Sequence, residues 1–230
     1  MDHHAEHHNH HHHHLTVQGE SEVTANVMYE EGVITIELKD QHGNAPELGI
    51  SHEKEMHLII VSADLEEYFH CHPKKQSDGI YTLQKELADN EYKVFVDIAP
   101  ENLSYTVSPI ELHVGYAHQK HGTNDLSVDT DFVKTVDGHT VELKANTFEV
   151  GQEISLLFDL KGETPEPYLG ALGHVVILDE NAEKFIHVHP AAMDKTQFDT
   201  VLADAGKYKL WTEFQFNGNV YVYSYVIEVK

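Results

Sequence analysis

At 230 residues, 40% of them hydrophobic and 23% charged, the chain has enough apolar side chains for one large core or two cores of about 100–115 residues each. No apolar run approaches the ~20 residues of a membrane-spanning helix. The net charge of −24 comes from 39 acidic against 15 basic residues, every one of the latter a lysine; such a surface repels phosphate backbones and lacks the guanidinium fork that reads phosphate and guanine best, which excludes nucleic acid and anionic membrane as partners.

The first fourteen residues hold nine of the 21 histidines. Residues 1–15 lack apolar periodicity and read as a disordered, His-rich, metal-collecting tail. The unbroken run at 10–14 also fits an engineered purification run, although Ala5, Glu6 and Asn9 interrupt the histidines before it. With Met1 as the amino terminus, His3 would bind Cu(II) or Ni(II) together with the terminal amine and intervening amides. The start has neither a basic n-region nor an apolar h-region, as expected of a mature exported protein.

Beyond the tail, short β-branched and aromatic segments bounded by turn residues predict strands at 33–39, 56–62, 68–72, 81–87, 92–98 and 110–114. The polar stretch AHQKHGTNDLSVDTD follows, with a linker at 119–129. Further strands are predicted at 141–144, 154–160, 174–178, 185–189, 198–202, 208–214 and 220–229. No 12-residue window is convincingly helical. About seven strands per ~100 residues is the density of an immunoglobulin-like sandwich.

Sliding the chain against itself exposes a duplication. MHLIIVSADLEEYFHCHP at 56–73 aligns without a gap on GHVVILDENAEKFIHVHP at 173–190, so His57, His70 and His72 recur as His174, His187 and His189, each 117 positions on. VITIELKDQHGNAP resembles EISLLFDLKGETPEP before this block, and ELADNEYKVFVDI resembles VLADAGKYKLWTEF after it. The expected fold is all-β, with two tandem immunoglobulin-like β-sandwich domains at 16–118 and 130–230.

Two-residue spacing puts His70 and His72 on the same side of a strand. In a hairpin, His57 falls opposite one of them on the same face, unless the register slips by one. Three imidazoles so placed make a nitrogen site for Cu(II) or Zn(II), and the same holds for His174, His187 and His189. Asp97 and Glu213 occupy matched positions in the later strand and are candidates to orient an imidazole or bind the ion. Cys71 aligns with Val188, so a buried apolar role outweighs ligation. Met193 offers a thioether, but the first copy has Gln76 there. His42, His52 and His139 read as ordinary polar residues, and His113, His118 and His121 as a weaker cluster beside the linker. Protonating all 21 histidines would bring the net charge to about −3, so the electrostatics change steeply near pH 6.5.

YLGALGHVVILDENAEKFIHVHP and the following ADAGKYKLWTEFQFNG resemble the His-x-His-Pro domains of secreted bacterial proteins linked to heavy-metal, often copper, handling, which are related to YtkA-like immunoglobulin-fold domains. The likeness runs over 168–230 and, more loosely, over 51–73. It implies an extracytoplasmic, secreted or cell-surface location, although the lipid-anchor cysteine of such proteins has no counterpart here. The expected function is non-enzymatic copper or zinc capture, buffering or delivery through one three-His site per repeat. Its partners would be metal ions and a metal transporter or other cell-surface protein. Cu(II) is favoured slightly over Zn(II), since it binds nitrogen sites more tightly. The alternatives are a metal-independent adhesion or interaction module and a three-His metalloenzyme; no nucleophile elbow, phosphate loop or HExxH motif is present.

Overall fold

The computed structural model describes residues 20–116, 126–188 and 190–230. Among them are sixteen strands and no helix. The first repeat contains β1 (Val23–Glu30), β2 (Val33–Asp40), β3 (Met56–Ser62), β4 (Tyr68–Cys71), β5 (Lys74–Ser77), β6 (Ile80–Gln84), β7 (Asn90–Ile98) and β8 (Ile110–Val114). The second contains β9 (Val133–Val136), β10 (His139–Ala145), β11 (Glu153–Asp159), β12 (His174–Asp179), β13 (Phe185–Val188), β14 (Gln197–Val201), β15 (Gly206–Phe216) and β16 (Asn219–Val229).

Each half is an antiparallel two-sheet sandwich. In the first, a sheet ordered β1-β2-β6-β5 faces one ordered β4-β3-β7-β8, the strand exchange of an immunoglobulin-like domain. The second pairs β14-β11-β10-β9 with β13-β12-β15-β16. The counterparts are β1 and β10, β2 and β11, β3 and β12, β4 and β13, β6 and β14, β7 and β15, and β8 and β16. Period-two patterning explains the outer sheets: β2 buries Ile34, Ile36 and Leu38 and turns the residues between them outward. β1, β5 and β9 go beyond the predicted strands. β9 joins β10 through Asp137 and Gly138, both left-handed at φ 46° and 89°, the two-residue turn that matches strand twist. Tyr92 and Tyr208 fix the matched corners before β7 and β15, their hydroxyls donating to Ala88 O at 3.2 Å and Asp204 O at 2.9 Å.

The two sandwiches pack on each other through the β3–β7 and β12–β15 sheets. Strand β3 is buried at all seven positions because both faces are covered. Met56, Leu58 and Ile60 enter the first core, while Ile59 and Val61 join Leu65, Phe95, Leu126, Val176, Leu178, Ala182 and Trp211 in a third cluster between the repeats. Around that cluster the contacts are reciprocal. Tyr68 stacks on Trp211 at 4.8 Å and Phe185 on Phe95 at 5.1 Å. Lys209 pairs with Glu66 at 3.1 Å, and Lys93 pairs with Glu183. Each contact recurs with the repeats exchanged, the pattern of a two-fold interface, here inside one chain. The end of the expected linker belongs to this body: Leu126 is buried in the third cluster, and Asp129 accepts from the Val226 amide at 2.8 Å. His118 and His121 lie outside the described residues.

Candidate metal centre

The same alternation that carries Glu66 and Tyr68 to the interface carries His70 there. Register pairs Leu58 with Cys71 and Ile59 with His70, one step short of His57 opposite His72. His57 and His70 therefore share the interface face, while Cys71 turns to the first core. Burial pushes the Cys71 thiol up to about 11, so it offers no thiolate at neutral pH.

The ligand atoms of His57, His70 and His72 lie within 4.8 Å of one another. His57 Nδ1 is 3.0 Å from His70 Nε2 and 3.2 Å from His72 Nε2. Two nitrogens about 2.0–2.1 Å from one tetrahedral ion stand roughly 3.3 Å apart. The outer nitrogens are anchored. His57 Nε2–H donates to Ser51 O at 2.9 Å, which leaves Nδ1 as a lone pair. His70 Nδ1 lies 2.9 Å from Glu213 Oε2; an ionised Glu213 makes it the donor and leaves Nε2 as a lone pair. Two lone pairs then face each other across 3.0 Å, an arrangement that a divalent ion satisfies.

The second repeat mirrors the anchoring. His174 Nε2–H donates to Tyr168 O at 2.9 Å, and His187 Nδ1 pairs with Asp97 Oδ2 at 2.7 Å. Asp97 and Glu213, matched in the sequence, are the register partners of His57 and His174. Their imidazole hydrogen bonds cross to the other repeat, however, so the two expected sites meet in one interdomain histidine cluster. His70 is 5.8 Å from His174 and 5.9 Å from His187, centroid to centroid.

His52 corrects the sequence reading. Its ring stands 6.1, 5.7 and 5.9 Å from those of His57, His174 and His187, held by a left-handed backbone at φ 47°. The matched position is Leu169, so comparing the repeats hides it. His189 and His3 lie outside the described residues. Met193 is 56% exposed. Elsewhere, His139 pairs with Glu163 at 2.6 Å and stacks on Phe216, and His113 approaches Glu91 only to 4.0 Å.

Burial dominates the electrostatics. It lowers His52 and His57 to about 4, and His70, His72 and His174 to about 3, with neighbouring imidazoles contributing. All five are neutral at pH 7, the form that ligates metal. Burial also pushes the Glu213 carboxyl up to about 8. Without metal, a neutral Glu213 can donate to His70 Nδ1 and leave His70 Nε2–H to donate to His57, which satisfies the same three groups with one proton.

No helix among the described residues is long and apolar enough to cross a membrane. No curated protein matches the chain. Among solved structures it is similar to a two-domain fibronectin type III segment of chicken tenascin, at 11% identity and TM-score 0.30, covering 90% of this chain and 98% of that one. FdeC, an Escherichia coli adhesin, follows at 16% identity and TM-score 0.28, with 92% of this chain and 65% of that one covered. The FN1–FN3 domains of chicken CNTN1 give 13% and 0.26, with 90% and 66% covered. The chain thus spans a little under two thirds of both latter structures. A family model described as a domain of unknown function, DUF8832, matches residues 6–114 and 134–230, and the chain belongs to that family.

Proposed function

We propose that this chain is a non-enzymatic, extracytoplasmic binding protein whose interdomain histidine cluster takes a divalent transition metal, with His57, His70 and His72 as ligands of the first ion. The observation that supports this reading is the pair of anchored imidazoles whose inner nitrogens, His57 Nδ1 and His70 Nε2, face each other at 3.0 Å. Three neutral imidazoles suit both Cu(II) and Zn(II), and Cu(II) binds such nitrogens more tightly. His174 and His187 continue the cluster into the second repeat. The His-rich tail would raise the local ion concentration beside it, consistent with capture, buffering or delivery to a transporter or other cell-surface partner. The extracytoplasmic setting rests on the sequence resemblance. A hydrolase would need a free general base, and Asp97 and Glu213 are both engaged by imidazoles.

A second reading is a metal-independent adhesion or interaction module. The one-proton arrangement favours it, because the cluster then fastens two immunoglobulin-like domains without an ion. Elemental analysis and titration calorimetry on a chain lacking residues 1–14 separate the two. Tight uptake of Cu(II) or Zn(II), lost in His70→Ala, is the expected result. No tight uptake would leave the interaction module as the better account.

A further inference from the structure

A site built within one domain would draw its supporting carboxylate from the same domain. Here it does not. Asp97 is register partner to His57, and Glu213 to His174, yet each carboxylate is hydrogen-bonded to an imidazole of the opposite repeat. Glu213 is 3% exposed. On β15 it follows Lys209 and Trp211 along one face, while His70 follows Tyr68 on β4 and Glu66 in the loop before it. Lys209 meets Glu66, Trp211 meets Tyr68 and Glu213 meets His70. This three-rung ladder exists only while the domains are docked.

From this geometry we infer that Glu213 is a positioning residue for the metal ligands of the first repeat, so that metal affinity at His57, His70 and His72 depends on domain docking. The inference rests on the metal-binding reading. A carboxylate on the outer nitrogen fixes the tautomer and raises the basicity of the ligating one; loss of such a partner commonly weakens metal binding about 10–100-fold. Linkage makes the effect reciprocal: an ion that binds the docked form better stabilises docking by the same factor.

The chain carries its own reporter. Trp211, the single tryptophan, is stacked on Tyr68 inside the interface. In the full chain, with Zn(II) as the probe, side-chain nitrogen NMR of His57 and His70 reads occupancy of this site apart from the tail, and Trp211 fluorescence in urea reads docking. Glu213→Gln is expected to weaken Zn(II) binding at His57 and His70 about 10–100-fold without changing final occupancy. Zn(II) is expected to raise the urea midpoint of the Trp211 transition more in the wild type than in the variant. Equal affinity in both overturns the inference and leaves the metal site standing. No response of His57 or His70 to Zn(II) in the wild type overturns both. Should Glu213→Gln fail to fold, the Zn(II)-loaded wild type decides: a protonated His70 Nδ1 supports the inference, and metal on Nδ1 overturns it.

Discussion

Cys71 sits between His70 and His72, yet its side chain belongs to the other face of the strand. It packs against the first core, as Val188 does in the second, and burial keeps the thiol protonated to about 11. Cys71→Val should therefore cost less than about 1.5 kcal/mol, as volume-conserving apolar swaps do, and leave metal uptake unchanged; urea unfolding and calorimetry check the two halves. Loss of metal uptake would make the sulfur a ligand. At this scale the sequence was informative wherever both repeats kept a residue. His57, His70 and Asp97 stand out as candidates because His174, His187 and Glu213 repeat them. His52 was missed because Leu169 stands in its place, and no local pattern separates a histidine in a tight turn from one turned inward by it.

Strands were legible from period-two patterning where one face meets a core, as in β2 and β11. Strand β5 was not: all four of its residues are exposed, so no apolar alternation marks it. The β9–β10 hairpin carried its signal in the Asp137-Gly138 turn rather than in its strands, since Val133 and Val136 are not fully buried. A stabilising device common to both repeats is the tyrosine near the start of β7 and β15, whose hydroxyl ties down the corner before the strand. Tyr208→Phe removes the hydroxyl that reaches Asp204 O while keeping the buried ring, and should destabilise the protein by about 1 kcal/mol. Tyr92 is a less clean probe because its hydroxyl also lies 2.7 Å from Glu67 Oε2. Denaturant midpoints of the two Phe variants measure both, and no change in Tyr208→Phe would show the bond to be solvent-replaceable.

The docking of the repeats was the least legible feature, although one trace was present. The unbroken apolar run of β3 signals a strand covered on both faces, but nothing in it says that the second cover is the other repeat. The partner residues Glu66, Tyr68 and His70 alternate like those of any strand with a solvated face. Docking buries the histidines, and this sets the acid response of the metal-free protein. His52, His57, His70, His72 and His174 fall from an ordinary 6.5 to between about 4 and 3. A folded-state value below the unfolded one means that unfolding takes up protons, so their contribution is complete above pH 6.5 and lost as pH falls toward 3. Glu213, raised from 4.5 to about 8 by burial beside Tyr68, His70 and His187, has the opposite sign: its contribution is complete below pH 4.5 and lost as pH rises through 8. Five histidines outweigh one carboxyl on the acid side, and the carboxyl acts alone above pH 6.5. In the presence of a chelator the thermal midpoint should therefore peak near pH 6.5, fall steeply toward pH 4 and decline gently toward pH 8. Glu213→Gln should flatten the alkaline limb and leave the acid limb in place. A midpoint still rising above pH 7 would mean that Glu213 is ionised in the metal-free fold, with the lone pairs of His57 and His70 left to repel until an ion arrives.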